Sequence, residues 1–211
     1  MNKKINKPPI FWQKAKKVLS AKDKKLSKII KSYPDDFLFS KSDPFFTLAR
    51  SIVGQQISVK AAQSVWDKLE IKVKKINPKI IISIHSSTLK SVGLSRQKVL
   101  YLKNLSSAFI ERKIKISMWD KMNNEEIVQD LIQIKGIGRW TAEMFLIFNL
   151  CRADIFPLDD IGMIRGLCKL YNIQYPTNRE EVIRIGEKWK PYRSVATWYL
   201  WRSLDPIPVE Y

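Results

Sequence analysis

The sequence predicts an all-α protein, and three observations support this fold class. Apolar residues recur at helical spacing through much of the 211-residue chain, for example over residues 140–148. Capping side chains, or a proline suited to a first helical turn, precede several such stretches. Residues 76–84 resemble a β-strand, but Asn77-Pro78 interrupts them and no partner strand is evident, so we interpret them as a short helix or loop. We therefore expect roughly ten helices.

Composition and charge limit the class of protein. Apolar residues make up 45% of the chain, which indicates a globular fold and not a disordered basic tail. Thirty-eight Lys and Arg against 20 Asp and Glu give a net charge of +18, which favours a polyanionic partner. A Lys-rich and Ile-rich coding bias would produce the same excess without any partner. The sequence shows neither a signal peptide nor an apolar run long enough to span a membrane, so we expect a cytoplasmic protein with no membrane partner.

The cysteine content argues against two kinds of metal site. Cys151 and Cys168 are the only cysteines, and His85 is the only histidine. These residues cannot supply four thiolates to an iron–sulfur cluster, nor complete a typical zinc site. We expect both cysteines to be reduced core residues.

The first half of the chain reads as a basic segment followed by helices. The first 32 residues hold eleven lysines and one acid, Asp23, and predict one or two amphipathic helices with a basic solvated side. Contact of this side with DNA is the alternative. Ser42-Asp43-Pro44 starts a helix that runs into Gly54, and Ser58 caps the next helix over residues 59–70. We expect a basic N-terminal helical segment over 1–42 and one main domain over 43–211.

Turns and caps also position the later helices. Val92-Gly93-Leu94-Ser95 ends one helix and caps another, and Asn123 with Glu125 and Glu126 opens a helix with acids in its first turn. A last helix rich in aromatic residues follows Pro191. Six later helices are expected. The first covers residues 96–112, the second begins after Asn123, and the third begins near Gly138. The fourth covers 160–171, the fifth runs from just after Pro176 to about 189, and the last ends near 204.

A glycine-rich turn between two of these helices is the most informative stretch. Leu131 and Ile134 close one apolar face, and Gly136-Ile137-Gly138 forms a turn that most residues could not adopt. Unpaired backbone N–H groups at the start of the second helix would form an anion site, with Lys135 and Arg139 on either side. A DNA phosphate fits this site. An ordinary αα-hairpin with capping glycines is the alternative.

A pair of carboxylates follows the turn. Asp160 lies 22 residues after Gly138, a separation that lets one helix run away from the phosphate site and the chain return. Asp159-Asp160 before an apolar run would by itself indicate a helix cap. Considered together with the hairpin, Asp160 is the candidate for a carboxylate near a bound nucleotide, and Asp159 for the cap or for a residue supporting Asp160.

These motifs together resemble those of the helix–hairpin–helix (HhH-GPD) DNA glycosylase superfamily, and within it the DNA-3-methyladenine glycosylase II family. The similarity covers roughly residues 43–204 and rests on residues 54–58, 136–142, 156–160 and 189–194. It implies two helical lobes with a DNA-binding cleft between them. Larger bacterial members also carry an N-terminal β-rich domain, and we expect no such domain here because only a basic segment, residues 1–42, stands in its place. It also implies a monofunctional enzyme of base excision repair that hydrolyses the N-glycosidic bond of alkylated bases everted from double-stranded DNA.

The resemblance assigns roles to individual residues. Asp160 falls on the catalytic aspartate, and Trp140 falls where bifunctional relatives place a lysine, which implies that there is no lyase step. Gln56 falls on the residue that fills the gap left by the everted nucleotide. The alternative for Gln55 and Gln56 is that they bond the backbone at a helix junction. The resemblance places Trp140 and Trp201 in the base pocket, with Tyr192 and Trp198 as further candidates, and packing in the core is the alternative for these tryptophans. The implied DNA contacts are Gln56, Lys135, Gly136, Ile137, Gly138, Arg139 and Thr141.

The resemblance also bears on cofactors and partners. It implies no required cofactor, but a Na⁺ or K⁺ ion at the hairpin, held by the backbone carbonyls of Ile132, Ile134 and Ile137. The expected protein is a monomer that associates with the nucleoid when bound to DNA. Two other functions stay open at this point: a non-catalytic DNA-binding module, and a glycosylase for an oxidised or deaminated base.

Overall fold

The computed structural model describes residues 7–40 and 43–205, and all regular structure within these residues is helical. This confirms the all-α prediction. Among the described residues, no helix is both long and apolar enough to cross a membrane. The helices are α1 (Trp12–Lys22), α2 (Lys24–Ser32), α3 (Pro44–Gly54), α4 (Val59–Val73), α5 (Pro78–Ser83), α6 (Ser86–Ser91), α7 (Arg96–Ile110), a 3₁₀ turn (Ile116–Met118), α8 (Asn124–Ile132), α9 (Arg139–Phe148), α10 (Ile161–Tyr171), α11 (Arg179–Glu187) and α12 (Arg193–Arg202).

The contacts divide the chain into two compact units. We call the described residues 43–149 the hairpin unit, and residues 7–40 with 150–205 the Asp160 unit. This division differs from the predicted boundary after residue 42. The N-terminal segment belongs to a discontinuous unit because α1 and α2 pack against α12.

The hairpin unit is built around α3. Asp43 caps this helix by accepting a hydrogen bond from the Phe46 N–H at 3.0 Å, and Pro44 occupies its first turn, where its missing N–H costs nothing. Ser42, also predicted at this start, lies outside the described residues. Nearly all of α3 is buried, because it packs against α4, α7 and α9 on different sides. A mainly apolar helix is expected to occupy such a central place, and α3 also buries the polar residues Thr47, Arg50 and Ser51.

The Asp160 unit is built around α12. The eight residues 194–201 are all buried, and α12 packs against α1, α2 and α10. The apolar sides of α1 and α2 complete this core with Trp12, Leu19 and Leu26. The final helix ends at Arg202, in agreement with the predicted limit near 204.

Asp23 is a buried hydrogen-bonding centre in the Asp160 unit. It caps α2 through the N–H groups of Lys25 and Leu26, and it also accepts hydrogen bonds from the Tyr171 hydroxyl and, at 2.9 Å, from Trp189 Nε1. Burial alone would raise the pKa of Asp23, but these four hydrogen bonds outweigh burial and lower the pKa. The carboxylate therefore contributes to the stability of the fold while it is ionised.

Several local predictions are confirmed in the hairpin unit. Ser58 and Ser95 cap α4 and α7 through the N–H groups of the third residue along, and Asn123 forms a capping box with Glu126 at the start of α8. Residues 76–84, where the sequence predicts a short helix or a loop, contain the short helix α5, whose N-cap is Asn77. The main difference from the sequence-based boundaries is α4, which continues to Val73.

Candidate functional site

Helices α8 and α9 and the turn between them form a helix–hairpin–helix, and glycine is required at position 136 for two reasons. Its φ is +109°, in the region that favours glycine, and a Cβ atom there would lie 2.3 Å from Cγ of Tyr101. The Ile137 N–H donates to the Ile134 carbonyl at 2.9 Å and closes the turn. The backbone of the turn is therefore held against the Tyr101 ring.

The start of α9 offers an anion site. Its N-cap is Gly138, which has no side chain to cap the first-turn N–H groups, and no atom lies within 4 Å of the position that a Cβ would take there. The positive end of the helix dipole adds to these N–H groups. Lys135 and Arg139 are both exposed beside the turn.

One of the two flanking cations is engaged by acids. Arg139 Nη2 lies 2.6 Å from Glu125 Oε1, and Arg139 Nη1 lies 3.9 Å from Glu143 Oε1. The hydrogen bond from Arg139 and then the one from Gln129 lower the pKa of Glu125, which stays ionised at neutral pH. A DNA phosphate at this site would have to share Arg139 with Glu125, while the exposed pair itself contributes little to stability.

Two of the predicted DNA contacts have buried side chains. Ile137 packs in the core, and Thr141 is 2% exposed, with its hydroxyl accepting a hydrogen bond from Gln55 Nε2. The side chains of Ile137 and Thr141 therefore face the interior of the unit, and any contact of these two residues with DNA would be made by their backbone. The backbone N–H of Thr141 still belongs to the first turn of α9.

The glutamine pair at the end of α3 has two separate roles. Gln55 donates through Nε2 to the Gly136 carbonyl and to Thr141 Oγ1, both at 3.0 Å, so the alternative that this pair bonds a helix junction holds for Gln55. Gln56 is exposed and adopts a φ of +57°. The sequence drew attention to this pair, but nothing in it indicated the hairpin as the partner. A cavity of about 350 Å³ lies between these elements, lined by Gln55, Gln56, Ser95, Gln97, Lys98, Tyr101, Gly136, Ile137 and Gly138.

Asp160 itself caps α10, and Asp159 does not. Asp160 Oδ1 accepts hydrogen bonds from the Met163 N–H at 2.6 Å and from Trp201 Nε1 at 2.8 Å, and the residue is 8% exposed. Asp159 is exposed and pairs with Arg179 at 2.7 Å. Of the two roles predicted for Asp159, the helix cap is wrong, because the residue directly before the first helical turn is Asp160. The two bonds to Oδ1 fix the orientation of the Asp160 carboxylate.

The four aromatic residues assigned to a base pocket lie in different surroundings. Trp201 is 7% exposed and contacts Asp160, whereas Trp198 is 2% exposed and packs edge-on against Trp12 at 5.4 Å between ring centroids. This burial favours a core role for Trp198. Tyr192 is partly exposed and stacks on Phe11. Trp140 is partly exposed in the first turn of α9, in the hairpin unit.

Neither cysteine is poised for metal or redox chemistry. Both are free, and burial raises the pKa of the Cys151 thiol to about 11 and also raises the pKa of Cys168. Both thiols are thus protonated at neutral pH. Across residues 7–40 and 43–205, no group of three or more His, Cys, Asp and Glu side chains is arranged to hold a metal ion.

Comparison with known proteins places this geometry in a family. Residues 49–191, more than half of the chain, match the model of the HhH-GPD superfamily base excision DNA repair proteins. The matched range contains the hairpin, the Gln55–Gln56 pair and Asp160.

Relatives with names and solved structures show the same similarity. DNA-3-methyladenine glycosylase 1 of Schizosaccharomyces pombe is 32% identical over 188 residues, which cover 85% of this chain and 81% of that protein. The alkylbase DNA glycosidase-like protein mag2 of the same organism is 31% identical, over 90% of this chain and 93% of its own. The structure of the S. pombe 3-methyladenine DNA glycosylase in complex with abasic DNA aligns with a TM-score of 0.81, covering 90% of this chain and 96% of that one. The chain therefore belongs to the HhH-GPD superfamily of base excision DNA repair proteins.

Proposed function

We propose that this protein is a monofunctional DNA glycosylase of base excision repair that removes alkylated bases of the 3-methyladenine type from duplex DNA. The observation that carries the proposal is the fixed carboxylate of Asp160, oriented by the Met163 N–H and the Trp201 indole in a chain that also has the hairpin. The names of its relatives, which include DNA-3-methyladenine glycosylases, support the choice of substrate.

The chemistry needs little from the protein beyond one carboxylate. An N-alkylated purine already carries positive charge and leaves as a neutral base, so strong general-acid assistance is not required. As the N-glycosidic bond breaks, positive charge grows on the deoxyribose. A carboxylate at Asp160 would stabilise this charge and help to orient the attacking water, as in other glycosyl transfers.

The residue at position 140 argues for hydrolysis without strand cleavage. A bifunctional glycosylase needs an amine to attack the sugar, and the Trp140 side chain cannot form a Schiff base. An aromatic face at this position can instead attract a cationic base by stacking and cation–π interaction.

The central experiment measures base release from methylated duplex DNA and compares two neighbouring carboxylates. We expect the wild-type protein to release alkylated bases, and to cut the strand only after alkali treatment. Asp160→Asn should abolish release, because it removes the negative charge while the amide oxygen can still cap α10. Its affinity for duplex DNA should stay within a few-fold of the wild-type value.

Asp159→Asn is the matched control, since Asp159 is exposed and its pairing with Arg179 lies at the surface. We expect nearly unchanged release from it. Normal turnover by Asp160→Asn would refute the catalytic assignment. Tight DNA binding by the wild type with no release from any methylated duplex would instead indicate a non-catalytic DNA-binding module.

We also propose a monovalent cation, Na⁺ or K⁺, at the hairpin. The Ile134 carbonyl accepts one hydrogen bond, from Ile137, and within the described chain no hydrogen bond to the carbonyl oxygens of Ile132 and Ile137 is found. Hard cations prefer oxygen ligands of this kind. A cation here would add positive charge beside the phosphate site, so DNA affinity should fall when both ions are replaced by tetramethylammonium at constant ionic strength. We further propose that the protein is a monomer in the cytoplasm that associates with the nucleoid when it is bound to DNA.

A further inference from the structure

We infer that Gln55 is a positioning residue that links strand binding by the hairpin to eversion of the target nucleotide. The inference rests on the proposed glycosylase function, and concerns how the hairpin unit places Gln56. Gln55 itself need not contact the DNA. It joins two segments, residues 136–141 of the hairpin and the exposed turn at Gln56, that meet different parts of a bound duplex in this proposal.

The contacts of Gln55 are specific. Its amide group has two N–H donors, and the structure shows two acceptors for them, the Gly136 carbonyl and Thr141 Oγ1, each 3.0 Å from Nε2. The two acceptors lie on either side of the Gly138 N-cap of α9. One side chain from the end of α3 thus holds both ends of the segment that would bind the phosphate.

The backbone next to Gln55 explains why this link would matter for Gln56. Gln55 is the C-cap of α3, and its side chain is only partly exposed. The next residue, Gln56, turns the chain into a left-handed conformation with φ +57° and is exposed. Fixing the Gln55 side chain to the hairpin therefore fixes the starting point of the Gln56 turn. A residue that must enter a base stack gains from such pre-organisation, because small misplacements of reacting groups cost large factors in rate.

A merely structural role for Gln55 would have a different consequence. Loss of two hydrogen bonds would then lower the stability of the hairpin unit and weaken binding to every duplex in proportion. A positioning role instead predicts a defect in eversion and base release that persists when all of the DNA is bound. The two roles can be separated by measuring these steps at saturating enzyme.

The experiment compares Gln55→Met with Thr141→Val in the full chain. Met has nearly the length of Gln but lacks both donors, and Thr141→Val removes one acceptor and leaves the bond to Gly136. The probes are a duplex with one alkylated base next to 2-aminopurine, whose fluorescence rises on unstacking, and the same duplex without damage. Gln13→Met, an exposed glutamine on α1, controls for the substitution itself.

We expect Gln55→Met to lower the single-turnover release rate at saturating enzyme by about tenfold or more and to reduce the 2-aminopurine signal. Its Kd for undamaged duplex should rise by less than about threefold, and Thr141→Val should show a smaller defect of the same kind. Equal release rates and signals for Gln55→Met and the wild type would overturn the inference, as would a defect confined to Kd. Absence of release by the wild type would refute the proposed glycosylase function, a different outcome. If Gln55→Met does not fold, the smaller defect of Thr141→Val still decides the question.

Discussion

The hairpin turn offers the sharpest test, because its two glycines differ in what a methyl group would meet. Gly136→Ala places a Cβ 2.3 Å from Cγ of Tyr101 and forces an L-residue to a φ of +109°. The dihedral alone costs about 1–3 kcal/mol. Displacing a packed ring costs about another 1–3 kcal/mol. We therefore expect Gly136→Ala to lower the free energy of unfolding by about 2–6 kcal/mol.

Gly138→Ala is the control within the same turn. A Cβ at this position meets no atom within 4 Å, and the φ of −95° suits any residue. Only the poorer N-cap preference of alanine remains, which costs less than about 1 kcal/mol. Both free energies are measured by urea denaturation, together with Kd for undamaged and damaged duplexes. For Gly136→Ala we expect Kd to rise for both duplexes alike, since phosphate contacts carry no sequence information.

A double variant separates the two costs at Gly136. In a Tyr101→Gly background neither the ring nor the Cβ of residue 101 remains to overlap, so Gly136→Ala should cost only the dihedral part, about 1–3 kcal/mol. An equal cost in both backgrounds would refute the proposed contact with Tyr101. A loss at Gly138→Ala as large as at Gly136→Ala would refute the geometry of the turn.

Two further predictions concern buried aspartates. Asp23→Asn should lower the unfolding free energy at pH 7 by about 1–3 kcal/mol. One carboxylate oxygen of Asp23 accepts from the α2 backbone and the other from Trp189, so an amide would place its NH₂ group against one of these N–H donors. The folded-state pKa of Asp23 is lowered, so its contribution to the free energy of unfolding is fully present above the ordinary value of 3.8 and disappears as the pH falls through the folded-state pKa. The unfolding free energies of the wild type and Asp23→Asn should therefore converge at low pH. A difference between them that does not change with pH would contradict the assignment. Trp201→Phe keeps an aromatic ring, smaller than the indole, but removes the N–H donor to Asp160, and we expect roughly tenfold slower single-turnover release. Trp119→Phe is the control, because it breaks the similar hydrogen bond to Asp130 in the hairpin unit. It should lower the free energy of unfolding without slowing base release at saturating enzyme. An equal loss of release rate in both variants would count against the positioning of Asp160 by Trp201.

The features that sequence reasoning recovered are those set within a few residues. The need for glycine at position 136 follows from a backbone dihedral, and the caps at Ser58, Ser95 and Asn123 follow from hydrogen bonds that span three residues. The assignment of the cap to Asp159 failed by one position because both aspartates satisfy the same local pattern. Only the placement of the first helical turn distinguishes them.

The sequence by itself determined the helical architecture, the glycine turn of the hairpin and the candidate carboxylate Asp160. The tertiary structure alone decided which remote groups meet: Gln55 and Gly136 are 81 positions apart, and Trp201 lies 41 positions from Asp160. It also turned Thr141 inward and placed residues 7–40 in the same unit as residues 150–205. The physical reason is that dihedral preferences and caps act within one turn of the chain. Contacts between distant residues depend instead on how whole apolar helix faces pack, which no short pattern records.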